Sequence, residues 1–164
     1  MKAIVLPEDL DVDVPSSIGV YDYNSVTEVS KQEIILNKNT FSFLKQGTKE
    51  VIFDNSFFSI DSSEFLLMKS SNCLMTEKLS DVGNNYRSVL FFFSNELVLK
   101  IIRKFEFNEP ASNNYNSVYA FEYDAFVERF VDSLIDLSKL SVTIQEKILE
   151  VKLEAHRYKS VKRM

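Results

Sequence analysis

Short apolar segments separated by polar turns run through the first 93 residues of the chain. Such segments, about five to eight residues long and repeated about every 8–12 residues, are typical of strands joined by tight turns. Asp54 and Asn55, for example, separate two apolar runs and tolerate the left-handed backbone of a hairpin turn. The connections are too short for crossover helices, so a parallel α/β sheet is excluded. The pattern predicts an antiparallel sandwich or barrel over residues 1–93.

The last third of the chain changes to helical patterns. Ser94 is a predicted N-cap of a first helix, and a second helix is predicted from Glu122 to Leu137. Thr143 opens a capping-box pattern that predicts a third helix. The chain is therefore expected to be mainly β with α, with a three-helix subdomain over residues 94–164.

The third predicted helix carries an apolar seam. Its apolar positions are spaced four, three, four and three residues apart, which is the heptad rhythm of a coiled coil. A helix this short needs a partner to bury such a stripe. That partner is either a second copy of the chain, which would make a homodimer, or the β domain of the same chain. The residues of this seam are Ile144, Ile148, Val151, Ala155 and Tyr158.

The composition restricts partners and compartment. The 164 residues carry a net charge of −5, which repels a phosphate backbone and predicts weak DNA binding by this chain. Basic residues are concentrated in residues 152–163. Cys73 is the single cysteine, so no intrachain disulfide can form. With no apolar run near the ~20 residues of a membrane-spanning helix, the chain is predicted to be cytoplasmic.

The sequence shows no set of residues typical of an enzyme. His156 is the single histidine and lies in the last predicted helix, whereas a metal-binding barrel needs two or three histidines on neighbouring strands. The three glycines do not form a phosphate-binding loop. Glu64 and Glu77 lie in adjacent predicted strands, where a glycosidase-type pair is conceivable but solvated strand-end charges explain them better. The prediction is a protein without catalysis, metal or cofactor.

The aromatic residues allow two interpretations. A small barrel is either packed solid by its side chains or holds one small apolar ligand. Plain core filling is the simpler interpretation. If a pocket exists, its predicted lining is Phe41, Phe43, Leu66, Met68, Phe91 and Phe93.

Four segments resemble the N-terminal domains of AraC-type transcriptional activators of the ExsA-like branch. They are EIILNKNTFSFL (residues 33–44), GTKEV (47–51), CLMTEK (73–78) and YRSVLFFFSNEL (86–97). The most specific is Tyr-Arg-Ser, an apolar run and then Ser-Asn-Glu. The polar stretch 154–159 departs from the more apolar third helix that is usual in this group.

The resemblance implies a cupin-like barrel, or jelly roll, without metal histidines, followed by helices that mediate dimerisation. It also implies that DNA is bound by a C-terminal domain of two helix-turn-helix units outside these 164 residues. Members of the group sense either a small molecule or a regulatory protein. The expected function is thus that of a regulatory and dimerisation domain. The alternative is a stand-alone β-barrel that binds a small ligand.

Overall fold

The computed structural model describes residues 2–10, 18–97, 118–140, 144–145 and 147–151. Within these residues the chain forms ten strands in two five-stranded sheets, followed by a helix, α1, at Ala125–Leu137. The strands are β1 Ile4–Leu6, β2 Ile18–Ser25, β3 Val29–Leu36, β4 Asn39–Gln46, β5 Thr48–Phe53, β6 Ser56–Ile60, β7 Glu64–Met68, β8 Ser71–Lys78, β9 Tyr86–Phe93 and β10 Val118–Glu122.

The two sheets form a sandwich. Sheet I has the strand order β1-β3-β8-β5-β6, and sheet II has the order β10-β7-β4-β9-β2. Neighbouring strands are antiparallel except β1 and β3, which run parallel. The predicted antiparallel, mainly β fold is confirmed, but the closed barrel is wrong. Closure would need a continuous ladder between the sheets, and each described sheet instead ends in two edge strands.

Strand alternation divides the side chains of sheet II between two cores. On β4, Ser42 and Leu44 face sheet I, whereas Phe41 and Phe43 face α1. This alternation arises because successive side chains of a strand point to opposite faces. Sheet II is therefore the middle layer of three, with sheet I on one side and α1 on the other.

Helix α1 begins with a side-chain cap and covers the outer face of sheet II. The Asp124 carboxylate accepts a hydrogen bond from the Val127 backbone N–H at 2.7 Å. Val131, Leu134 and Leu137 are buried on the face that meets the sheet. The predicted second helix is confirmed, but it begins at Ala125 rather than Glu122 because residues 118–122 pair with β7 as strand β10.

Short parts of the other two predicted helices are described. Residues 95–97 are helical, and the Ser94 hydroxyl accepts a hydrogen bond from the Leu97 N–H at 3.2 Å. Residues 144–145 and 147–151 are also helical. The rest of both predicted helices lies outside the described residues, so the three-helix subdomain stays a prediction. None of the helices in the described part of the chain is long and apolar enough to cross a membrane.

The Asp124→Ala variant is expected to lose about 1 kcal/mol of unfolding free energy, because it removes the acceptor for an otherwise unpaired helical N–H. For a domain of this size, thermal unfolding would then fall by about 2–4 °C. The matched control is Asp136→Ala, at the exposed opposite end of α1. A carboxylate there opposes the helix dipole, so its removal is expected to be neutral or slightly stabilising. Equal losses in the two variants would contradict the capping role.

Candidate functional site

A cavity of about 200 Å³ lies between the sheets, beside the N-terminal segment. Its walls are mostly apolar and come from both sheets, and Ile4, Leu6 and Leu10 of the N-terminal segment contribute to them. Leu6 is held in place because its carbonyl accepts the Asn37 N–H at 2.9 Å. The polar lining residues are Asp9, Tyr23, Gln32, Thr40, Lys49 and Glu77.

Lys49 is the cation of this cavity. It lies on β5, and alternation turns it inward on the same face as buried Val51, so only 1% of it is exposed. Its ammonium donates a hydrogen bond to Ser42 Oγ at 2.9 Å, and Ser42 in turn shares a hydrogen bond with the Ser88 hydroxyl, also at 2.9 Å. Burial lowers the pKa of Lys49 because the charged form loses its hydration.

Glu77 is the carboxylate whose charge acts on Lys49. Its Cα is the register partner of Lys49 between β8 and β5, so the two side chains share the inner face. The Glu77 charge partly opposes the effect of burial on the pKa of Lys49. Even so, no carboxylate oxygen of the described residues lies within 4.0 Å of Lys49 Nζ. The ammonium is influenced by Glu77 but does not form an ion pair with it.

Two tyrosines lie near Glu77. Burial raises the pKa of Tyr23 and Tyr86, and the Glu77 charge raises both further. The rings of the two tyrosines meet edge to face, with centroids 5.9 Å apart. Tyr86 is fully buried, yet its hydroxyl makes no hydrogen bond of good geometry with any described residue. The influence of Glu77 and Ser88 on its pKa therefore reflects proximity rather than formed bonds.

Two of the other polar lining residues, Gln32 and Thr40, already donate hydrogen bonds to backbone carbonyls. Gln32 Nε2 donates to the carbonyls of Lys2 and Glu33, at 2.8 and 3.1 Å. Thr40 Oγ1 donates to the Lys38 carbonyl at 3.1 Å. An ammonium has three N–H donors, and Lys49 uses one of them within the described residues. Lys49 is thus the lining group with the most unused donor capacity.

The structure separates the six predicted pocket residues between the two cores. Met68 lines the cavity, and Leu66 is buried in the same core between the sheets. The four phenylalanines lie on the other face of sheet II, where they form part of the core beneath α1. Phe41 stacks there on Phe43, with centroids 5.4 Å apart.

Lys49 is the cation among the cavity-lining residues and has hydrogen-bond donors left unused. It was not among the predicted site residues. The signal that would have found it is local. In the run Thr48–Phe53, period-two alternation places Lys49 on the same face as Val51. An inward apolar residue two positions away makes a lysine a candidate for burial.

The predicted dimerisation seam is described in part. Ile144 and Val151 are 48% and 66% exposed, whereas Ile148 packs against the core beneath α1. Gln145 and Leu149 are buried, at 6% and 1% exposure. The segment therefore attaches to its own domain through one face and presents Val151 to solvent. Ala155 and Tyr158 lie outside the described residues.

The fold is similar to solved structures of the Vibrio cholerae protein ToxT. Apo ToxT K231A from strain SCE256 has a TM-score of 0.64 at 14% identity, and the match covers 93% of this chain and 58% of that one. Wild-type ToxT from the same strain, bound to an unsaturated fatty acid, has a TM-score of 0.53 at 13% identity, covering 93% and 57%. ToxT from V. cholerae O395, bound to (E)-4-(8-methylnaphthalen-1-yl)but-3-enoic acid, has a TM-score of 0.58 at 14% identity, covering 90% and 58%.

These likenesses are to the fold, and this chain spans under two thirds of the length of each ToxT chain. A comparison with curated proteins by sequence gives no match. The family evidence comes instead from the model of the ExsA N-terminal regulatory domain, which matches residues 39–155, more than half of the chain. The chain therefore belongs to the family of ExsA N-terminal regulatory domains, which are regulatory domains of AraC-type transcriptional activators.

Proposed function

We propose that this chain senses a small molecule and pairs with a second copy of itself on behalf of a larger cytoplasmic activator. In this proposal DNA is bound by a C-terminal helix-turn-helix domain outside these residues, and the chain itself performs no catalysis. In the same proposal, residues 94–164 form a helical dimerisation subdomain that follows the sensing domain of residues 1–93 and lends it strand β10. A stand-alone ligand-binding protein is not favoured, because the family consists of regulatory domains.

The observation that carries the sensing role is the cavity of about 200 Å³ between the sheets. A protein interior is normally packed with few voids larger than a water molecule. A mostly apolar cavity with a few convergent polar groups is the usual form of a small-molecule site. Two similar ToxT structures are bound to carboxylic acids with apolar bodies, which supports a small molecule rather than a regulatory protein as the signal.

Native mass spectrometry of the purified chain tests sensing and pairing together. We expect a dimer whose mass exceeds that of two chains by one or two small molecules, which denaturation releases. Metal analysis of the same sample is expected to show no stoichiometric metal. A monomer that takes up no small molecule, even from a mixture of apolar compounds, would contradict the proposal.

The third helical segment supports the pairing role through the directions of its side chains. Residues three, four or seven apart on a helix share a face, which groups Ile144 with Val151, while Gln145 and Leu149 face the core. Val151, which is 66% exposed, leaves an apolar surface for a second copy to cover. Ile148 is a poor place to test this pairing, because it packs against its own domain.

Val151→Asp is therefore expected to weaken the dimer. Full burial of a valine contributes about 1.5 kcal/mol, and a symmetric interface loses two of them, so dissociation should rise about 100-fold. Sedimentation should show a folded monomer with unchanged circular dichroism. The matched control is Val82→Asp, the same change at a loop valine that is 86% exposed, and it should stay dimeric. A dimeric Val151→Asp protein would place the interface elsewhere.

A further inference from the structure

We infer that β6 is a docking edge for an extended segment of another protein, which adds to sheet I as a further strand. The segment has an apolar centre and basic ends. Strand β6 contributes none of the residues that line the cavity, so this surface is additional to the proposed sensing function and does not depend on it.

Strand β6 has an open backbone edge. It stands at the end of sheet I, and among the described residues it pairs with β5 alone. Alternate residues of an antiparallel strand direct both their N–H and C=O groups to the same side. The turn before β6 has two residues, so the flanking residues Phe53 and Ser56 bond to each other. Phe57 and Ser59 therefore direct their backbone groups to the open side, where an added strand can bind them.

The side chains of β6 do not protect this edge. Proteins usually block an open edge with a lysine, a proline, a bulge or a very short strand. The strand Ser56–Ile60 has the sequence SFFSI, without lysine or proline, and its ladder with β5 has no register shift. At the other end of sheet I, β1 has only three residues. The open edge at β6 is therefore the one in sheet I that can accept a strand of ordinary length.

Phe57 ends an apolar row on the outer face of sheet I. Leu74, Ile52 and Phe57 are register partners across β8, β5 and β6. Leu74 is 37% exposed and Phe57 is 60% exposed. Residues directly opposite each other on neighbouring strands share a face and pack together. A residue of an added strand opposite Phe57 would thus extend the row, which favours an apolar centre for the docked segment.

The charges of the β5–β6 hairpin determine the ends of that segment. Residues 48–64 contain a single basic residue, Lys49, and it is buried facing the cavity. The same stretch contains four carboxylates: Glu50, Asp54, Asp61 and Glu64. Glu50 pairs with Lys78 of β8 at 3.0 Å, whereas Asp54 and Asp61 are exposed in the turns at the two ends of β6. Complementary charge therefore requires basic residues at both ends of the partner.

The two aspartates also disfavour a second copy of this chain as the occupant. Antiparallel pairing of β6 with its own copy about the middle of the strand would bring Asp54 of one chain within one residue of Asp61 of the other, at both ends of the pair. Like charges this close on paired strands repel each other. The aspartates thus oppose self-association and leave the edge open to a basic segment.

The test uses the peptide KTVTVTK, with both termini blocked, and its acidic counterpart ETVTVTE. In an antiparallel register the two valines stand opposite Phe57 and Ser59, and the lysines lie beside Asp54 and Asp61. Nuclear magnetic resonance of the isotope-labelled wild-type chain should show saturable shifts of the Phe57 and Ser59 amides. At low salt KTVTVTK should bind about tenfold more tightly than ETVTVTE, and the difference should shrink as salt is added.

Matched variants separate the contributions of charge and edge. Asp54→Asn should weaken KTVTVTK about two- to threefold, and asparagine tolerates the φ of +50° at this turn. Its control is Asp81→Asn, at an exposed loop aspartate, which should bind as the wild type does. Phe57→Lys should abolish binding, because it removes the apolar contact and places a cation on the edge.

The control for Phe57→Lys is Val82→Lys, the introduction of the same cation at a loop valine that is 86% exposed. It should leave peptide binding unchanged. Ser59→Lys provides a second edge variant, and circular dichroism verifies the fold of each.

Other results would overturn the assignment. If neither peptide shifts the amides of β6, the edge does not accept a strand. Equal binding of KTVTVTK and ETVTVTE would remove the requirement for basic ends. Slow hydrogen exchange at Phe57 and Ser59 in the peptide-free wild type would mean that the chain already covers its own edge. A dimer that dissociates in Phe57→Lys but not in Val82→Lys would make a second copy the occupant.

Discussion

Replacement of Gly47 with alanine is expected to lower the free energy of unfolding by about 2–4 kcal/mol, the sum of a backbone and a packing cost. Gly47 joins β4 to β5 with a φ of +96°, a conformation that side chains disfavour. An added Cβ would lie 2.5 Å from the Lys78 carbonyl oxygen and 2.9 Å from Tyr86 Cδ2. Tyr86 is fully buried and Lys78 belongs to a paired strand, so neither neighbour has room to retreat.

The matched control is Gly83→Ala, which separates the two costs. Gly83 also has a positive φ, +87°, but the nearest atom to an added Cβ is Asn85 Oδ1 at an ordinary 3.4 Å. This variant should lose only the backbone cost, about 1 kcal/mol. Urea denaturation of both variants measures the difference. Equal losses would mean that β8 shifts to admit the new methyl group.

Local patterns were sufficient to predict β2 to β9 and α1, but not β1 or how the strands assemble. Alternation and turn residues mark the hairpin of β5 and β6 because both signals lie in adjacent residues. Strand β10 was missed, since Val118–Glu122 becomes a strand by pairing with β7, about fifty residues earlier in the chain. The choice between sandwich and barrel likewise depends on contacts between distant edges, which no short segment contains.

For the candidate site, too, local patterns predicted which residues share a face but not how that face is packed. Alternation correctly groups Phe41 with Phe43 and Thr40 with Ser42, but it does not say which face of the strand meets the second sheet. Sheet II has both faces covered, so an apolar residue fits either face. The phenylalanines lie on the face that packs against α1, and the smaller polar residues lie on the face toward the cavity. A polar residue on an inward face, such as Lys49, would therefore have been the better guide to the site.

Lys49→Met is expected to stabilise the ligand-free chain, since it replaces a buried charge with an apolar side chain of similar length. Exchanging buried ionic groups for apolar ones is often neutral or stabilises by about 1–4 kcal/mol. At about 2–4 °C per kcal/mol, thermal unfolding should rise by several degrees. The Ser42–Ser88 hydrogen bond remains, so no buried hydroxyl is orphaned. The same change at Lys45, a partly exposed lysine whose ammonium lies 3.7 Å from Asp132 Oδ1, should alter stability by less than about 0.5 kcal/mol.

The difference in unfolding free energy between Lys49→Met and the wild type should also depend on pH, and the pKa of Lys49 fixes the direction of that dependence. Burial holds the pKa of Lys49 below its ordinary value of 10.5 in the folded chain. Between the folded and the ordinary pKa the unfolded chain binds more protons, so the stability of the wild type rises with pH across that window. The raised pKa values of Tyr23 and Tyr86 act in both proteins and largely cancel in the difference. Urea unfolding from pH 7 to 10 should therefore show the advantage of the variant shrinking as the pH rises. An advantage that grows with pH would mean that the folded chain stabilises the ammonium, and Lys49 would then already have an anionic partner without a ligand.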